Sequence, residues 1–399
     1  MRWSWFTSYH FFNKTRRERR ERDERERAFY ENGSKLLEKL IASCNAKPIP
    51  IRTFSPQQLL LATNYYSSEQ LVIGFSIWYK GSLEGRIVLI KHSFGWADLF
   101  INDLVISAQM SGHCNVLKPI GCCLHTPSPI FVFEFAANGL LADRIYVSRV
   151  TERQHRPMVW ERRLKIARQI AHALSYLHTA FPRPVIHMFI HMRHILLDEH
   201  DVPKLSDFYA SVSIPEGEAD VEGFKGFRYL AFSAPEFKAT GKVTEKADVY
   251  DFGRILLELL TGEDSYKISR LTIDKDSTLV AYIRNRAQGS CINKIVDPAI
   301  LAEDGEGGAS LECQLQAVVD LGLACTKEDP QRRPTMVDVT KQLRRIESFT
   351  QTGEELGGNL QNLKLLKSVE EQASASLKRN ASSDEIQVVN EASERPLEV

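Results

Sequence analysis

Residues 185–199 read Val-Ile-His-Met-Phe-Ile-His-Met-Arg-His-Ile-Leu-Leu-Asp-Glu, and the reading of this stretch decides the reading of the chain. An apolar pair, Val185-Ile186, opens it, and an apolar run, Ile195-Leu196-Leu197, closes it. Between them His187, His191 and His194 fall at i, i+4 and i+7. On a helix those rings would share a face and could hold zinc. Pro182 and Pro184 stand immediately before, so the stretch is expected to be an irregular loop, where that spacing carries no such meaning.

Composition narrows the classes. The 399 residues are 43% apolar, enough for one large two-lobed domain with tails or for two ordinary domains. Basic and acidic residues balance at 51 each, which argues against a general polyanion binder and so against nucleic acid. Seven cysteines, an odd number, fit no zinc module and read as reduced cytosolic thiols, with no secretory signal before them. No apolar run approaches the ~18 residues that span a bilayer. Arg2 removes the N-terminal myristoylation pattern.

Residues 187–194 resemble, in spacing, the protein-kinase catalytic loop His-Arg-Asp-x-x-x-x-Asn, which an apolar run follows. His187 keeps its place as a structural residue. Phe189 stands where the catalytic Asp belongs, His194 where the magnesium-binding Asn belongs, and His191 where the loop Lys belongs. Downstream, Ser206-Asp207-Phe208-Tyr209 resembles the Asp-Phe-Gly segment. Asp207 keeps the magnesium-ligand position, while Tyr209 replaces a glycine whose tolerance of positive φ permits a flip. The activation segment, 210–233, has no Thr; its hydroxyls are Ser211, Ser213, Tyr229 and Ser233. Its end, Gly226 to Glu236, resembles Gly-Thr-x-Gly-Tyr-x-Ala-Pro-Glu with Phe227 for the Thr. Scaffold positions match far better. Thr240 to Gly253 resembles the Thr-x-Lys-x-Asp-Val-Tyr-Ser-Phe-Gly run, so Asp248 is expected to bind the catalytic-loop backbone and Arg333 to pair with Glu236. Trp160 to His178 has a helical period and resembles the long helix beneath the loop.

Upstream lie two strand-like runs, 71–80 and 86–91, in the region where a kinase places a glycine-rich phosphate loop between its first two strands. Anchored on Tyr79-Lys80-Gly81, a gapless alignment puts Leu71, Ile73 and Ser76 at the three glycine positions, which predicts hindered approach of phosphate. Val88-Leu89-Ile90-Lys91 resembles the Val-Ala-Ile-Lys strand, and Asp103 is the candidate partner of Lys91 in place of the usual Glu. Either the pair is purely structural or it contacts nucleotide. The vicinal Cys122 and Cys123 read as core packing. Phe131 to Phe135 resembles the last small-lobe strand and hinge, so Phe133, Glu134 and Phe135 complete the candidate nucleotide-binding set with Lys91, Asp103 and Asp207.

The ends differ in texture. Trp3, Trp5, Phe6, Tyr9, Phe11 and Phe12 make residues 1–13 aromatic, and they suit either a peripheral membrane contact or packing on the kinase body or a partner. Residues 16–27 alternate Arg with Glu or Asp at helical spacing, and 35–41 continue the helical pattern. Ser55 before Pro56 predicts a helix start. The expected organisation is an extension over 1–50, a kinase-like α+β domain of two lobes over 51–348 (small β-rich lobe to about 136), and a disordered tail over 349–399. Phe54 to Asn64 resembles the opening of plant receptor-like kinases, and with the Trp-rich start and degenerate loop the chain resembles plant receptor-like cytoplasmic pseudokinases of the immune-adaptor, ZED-one-related kinase-like group. The resemblance implies a signalling adaptor with impaired catalysis, in the cytoplasm or at the plasma membrane. Its implied partners are a nucleotide-binding leucine-rich-repeat (NLR) immune receptor and receptor-like cytoplasmic kinases. A residual serine/threonine kinase using ATP and magnesium, or an ATP-binding switch without catalysis, are the alternatives.

Overall fold

A computed structural model describes residues 3–44, 51–67, 70–73, 76–95, 97–146, 157–223, 225, 234–265, 278–287, 292–302 and 308–349. The expected tail, from residue 350, and most of the end of the activation segment therefore lie outside the described residues.

The chain opens with a 42-residue helix, α1 (Trp3–Cys44), which takes in the aromatic start as well as the charged run. Arg17 pairs with Glu21 at 2.9 Å and Arg20 with Glu24 at 3.0 Å, but these pairs are exposed and hold little. The helix is fastened further along. Ala28 and Asn32 are buried, and the Asn32 amide donates to the carbonyls of Leu124 (3.0 Å) and Thr126 (2.9 Å). Phe29 stacks on His125 with ring centroids 4.5 Å apart, and Lys35 reaches Asp98 at 3.1 Å.

A short strand β1 (Arg52–Thr53) leads to helix α2 (Pro56–Ala62). Ser55 caps α2 by accepting from the Gln58 amide, and Gln58 returns the bond to the Ser55 amide, a reciprocal capping box. Then come β2 (Gln70–Ile73), β3 (Ser76–Leu83), β4 (Arg86–Ser93), helix α3 (Ala97–Gln109), β5 (Pro119–Cys123) and β6 (Ile130–Glu134). The expected single run over 71–80 is thus two strands. Ile73 pairs with Ser76 across a two-residue connection, and apolar residues continue through it, so alternation alone does not mark the break.

The six strands form one sheet in the order β1-β5-β6-β4-β3-β2. β1 lies parallel to β5, which requires Gly121: a Cβ there would sit 2.4 Å from the Arg52 carbonyl oxygen. On one face Tyr79, Val88, Ile90, Ile130, Val132 and Cys123 pack with Phe54 and Leu59 from the β1–α2 region. Cys122 and Cys123 are buried as thiols, and burial pushes Cys122 up to about 12. The opposite face carries Lys91 and looks toward the large lobe.

The large lobe is mostly helical. Helix α4 (Leu141–Ile145) precedes α5 (Trp160–Thr179), the expected central helix; small strands β7 (Val185–Ile186), β8 (Ile195–Leu197) and β9 (Pro203–Leu205) lie on its loop side. After β10 (Val212–Ser213) and β11 (Val221–Glu222), the short helix α6 (Pro235–Thr240) and β12 (Lys242–Val243) lead into α7 (Glu245–Thr261). Gly262, at φ +70°, ends α7. The helix Gly308–Cys325 crosses α7 closely, because a Cβ on Gly253 would lie 2.6 Å from the Cys325 Cβ. The last described helix is Met336–Ser348.

Candidate functional site

The loop between β7 and β8 is irregular over residues 187–191 and closes in a single 3-10 turn, Met192–His194. Its three histidines do not share a helix face, and no described His, Cys, Asp or Glu group has the arrangement of a metal site. The loop's backbone hangs from one carboxylate. Asp248, fully buried on α7, accepts from the amides of His187 (2.8 Å) and Met188 (2.9 Å) and from His178 Nε2 (2.8 Å). Met188 sits at φ +74°, a strained conformation for a side-chain-bearing residue, and these bonds hold it there. Arg333 forks onto Glu236 at 2.7 and 2.8 Å and also donates to the carbonyls of Lys327, Glu328 and Lys246.

His187 accepts from the Phe189 amide at Nδ1 (3.4 Å) and donates from Nε2 to the Ser206 carbonyl (3.1 Å), while its ring lies 4.8 Å from that of Phe208. Phe189, where a general base would stand, packs edge-on against His194 at 4.7 Å and near Tyr209 at 6.4 Å. His194, where a metal ligand would stand, is buried, and its Nδ1 donates to the Phe189 carbonyl at 3.3 Å. Burial holds His187 and His194 below the usual histidine range, and burial with Arg254 beside it holds His191 well below. At neutral pH the loop therefore carries neither the acid nor the cation of a working kinase.

Charge survives at one point. Lys91 Nζ donates to Asp103 Oδ2 at 2.6 Å and to Asp207 Oδ1, and all three side chains are at most 1% exposed. Burial pulls the Lys91 ammonium down, but the two carboxylates outweigh it and leave it raised. Burial pushes Asp103 up, and Asp207 is held low by Lys91 against the same burial. Asp103 Oδ1 also accepts from the Phe208 amide at 2.7 Å, so one carboxylate on α3 fixes both the lysine and the start of the activation segment. Its neighbour Asn102 does the same from the rim. The Asn102 amide nitrogen donates to the carbonyls of Phe208 (3.3 Å) and Ser211 (2.9 Å), while Lys39 of α1 donates to its oxygen at 3.5 Å.

The remaining candidates are placed less evenly. Phe133 faces the same space as Lys91. Glu134 turns away: its amide donates to the Lys118 carbonyl (2.9 Å) and its carboxylate accepts from the Lys118 amide (3.2 Å). Phe135 lies under Lys80, whose Nζ is 5.4 Å from the ring centroid. Leu71 and Ile73 lie in β2, with Leu71 opposite Trp78, and Ser76 is buried against Ser93, the two hydroxyls 3.0 Å apart. Sequence reasoning missed Trp78, Phe100 and Asn102. Trp78 had a signal: it stands two residues past Ser76, where the phosphate-loop pattern carries Val.

These residues do not fit nucleotide as they stand. Asp207 has spent one oxygen on Lys91 and has Ser206 Oγ 3.4 Å from the other, and the ammonium that would meet phosphate has no accessible surface.

The protein tyrosine and serine/threonine kinase family matches residues 96–343. The chain is 37% identical over 341 residues to serine/threonine-protein kinase ZRK1 of Arabidopsis thaliana, covering 83% of this chain and 95% of that one. It is 38% identical over 336 residues to the non-functional pseudokinase ZED1 (80% and 96%) and 37% identical over 345 residues to the non-functional pseudokinase ZRK2 (84% and 94%), both from the same plant. Those names fall on both sides of the catalytic question, so it is the site that has to answer it. By family model and by relatives alike, the chain belongs to the protein kinase family, within the ZED1-related kinase group.

Proposed function

We propose that this chain is a kinase-fold signalling adaptor that acts by binding proteins and transfers no phosphate. The observation that carries the reading is the loop itself: an aromatic ring, Phe189, stands at the base position and packs on a neutral, buried His194 at the metal position. A general base contributes a factor of about 10²–10⁴, and positioned charge supplies most of the rest of phosphoryl transfer. Loss of the base, one metal ligand and the loop cation compounds. The intact scaffold contacts of Asp248, Arg333 and Glu236 support a fold kept for its surface.

The partners proposed are an NLR-type immune receptor and receptor-like cytoplasmic kinases, in plant innate immunity, at a cytoplasmic site. The support is the likeness to the ZED1-related group together with the docked α1, which adds a long helix to the small lobe. No described helix is long and apolar enough to cross a membrane. The aromatic start of α1 supports a peripheral membrane contact, which liposome co-sedimentation of the chain with and without residues 1–13 tests. The main test is transfer of labelled phosphate by wild type and Asp207→Ala, beside binding of the purified chain to a leucine-rich-repeat domain. No transfer with measurable binding is expected; transfer that depends on Asp207 would make the chain a residual kinase.

A further inference from the structure

Strand register shows what fills the space between Lys91 and the hinge. Trp78 pairs with Lys91 and Lys80 with Leu89 across β3 and β4; Leu89 pairs with Phe133 and Lys91 with Phe131 across β4 and β6. Side chains alternate across a sheet, so Trp78, Leu89, Lys91, Phe131 and Phe133 share the face that looks toward the large lobe. The Trp78 indole is close to both landmarks of a nucleotide site. Lys91 Nζ is 5.0 Å from its ring centroid, and the Phe133 ring centroid is 5.4 Å away.

The filling is complete on this face. Trp78 is 1% exposed, Leu89 4%, Phe133 1% and Lys91 0%. Kinases carry Val and Ala at the first two of these positions, which leaves a slot for a flat ring. Here an indole and an isobutyl group occupy that slot. Phe100 and Tyr209 continue the lining, with Lys91 Nζ 5.9 and 5.5 Å from their rings. Among the described residues the indole N–H meets no acceptor, so hydrogen bonding is not what places the ring.

We infer that Trp78 is this chain's own occupant of the nucleotide slot. Its indole takes the place of a ligand's flat ring and, with Leu89, keeps Lys91, Asp103 and Asp207 in their buried paired arrangement with no nucleotide. The inference deepens the non-catalytic reading and rests on it, but it makes a separate claim: the slot is closed by shape, over and above the altered phosphate loop.

The test uses full-length wild type, Trp78→Phe and the double variant Trp78→Val/Leu89→Ala, each checked for folding by circular dichroism. Melting is followed against ATP, with and without magnesium, up to about 5 mM, because a ligand that binds only the folded state raises the melting point. Wild type and Trp78→Phe, which keeps a ring in the slot, should not shift; the double variant should shift and bind at least tenfold more tightly than the limit set by wild type. Should the double variant not fold, Trp78→Leu replaces it under the same criteria. The inference is overturned if wild type is stabilised as much as the variant, or if the folded variant stays as unresponsive as wild type. Labelled-phosphate transfer on the same proteins separates the two claims. Transfer by the opened variant alone would leave the plug standing and remove the non-catalytic reading of Phe189 and His194, whereas ATP binding by wild type without transfer would remove the plug and leave that reading.

Discussion

Lys91→Met should destabilise the chain strongly in the complete absence of nucleotide. In an open kinase cleft this lysine meets solvent and ligand, and its loss costs activity more than stability. Here its ammonium is fully buried between two carboxylates that are themselves buried. Removing it leaves Asp103 and Asp207 facing each other with no counter-ion. Breaking a buried pair by deleting one partner costs about 3–5 kcal/mol. At roughly 2–4 °C per kcal/mol for a domain of this size, the melting point should fall by roughly 6–20 °C. The loss has a pH signature. Without Lys91, burial and mutual repulsion raise both carboxyl pKa values above their unfolded values. An acid raised on folding contributes fully below its unfolded pKa and loses that contribution as pH rises through the folded one. The gap to wild type should therefore be smallest near pH 5 and largest near pH 8. Differential scanning fluorimetry without nucleotide measures it, and Lys91→Met/Asp103→Leu, which removes one stranded charge, should recover part of the loss. A Lys91→Met protein that melts within about 2 °C of wild type at pH 8 would refute the sealed triad.

Three further outcomes follow from other contacts. Asn102→Ala loses two bonds to the Phe208 and Ser211 carbonyls and should cost about 1–3 kcal/mol, with faster hydrogen exchange over residues 208–213 as the local readout. Asp248→Asn weakens three bonds to His178, His187 and Met188 and should cost roughly 2–4 kcal/mol, with protease sensitivity appearing first at the strained Met188. Asp251→Asn should flatten the fall of stability between pH 5 and 8. Burial, opposed by Arg254, pushes the Asp251 carboxyl up to about 7, so its contribution is complete below about 4 and is lost as pH rises through 7, by roughly 4 kcal/mol at most. The buried histidines act in the opposite sense, losing stability as pH falls below about 6.5, but they are common to both proteins and cancel in the difference.

Much of the frame was legible in the chain because kinase motifs are local and keep their spacing. His187 stands seven residues before His194, and Ser55-Pro56 starts α2 through a bond only three residues long. The long helix α5 followed from apolar periodicity. The break in the 71–80 run did not, because apolar residues continue on both sides of a two-residue connection. The docking of α1 was equally hidden: Asn32 meets the Leu124 carbonyl 92 residues away, and nothing in its neighbourhood marks it apart from the other polar residues of the helix.

The sequence by itself determined that this is a kinase frame with no proton acceptor at its base position. The identity of the residue at a fixed spacing, Phe189 for an acid and His194 for an amide, is all that statement needs, since phenyl cannot accept a proton. Only the tertiary structure decided what became of the charges and space that remain. Lys91 meets Asp207 across 116 residues, and Trp78 reaches Lys91 and Phe133 through the register of three strands. Register and long-range pairing are set when strands and lobes pack together, and a one-residue slip would turn Trp78 to the opposite face of the sheet.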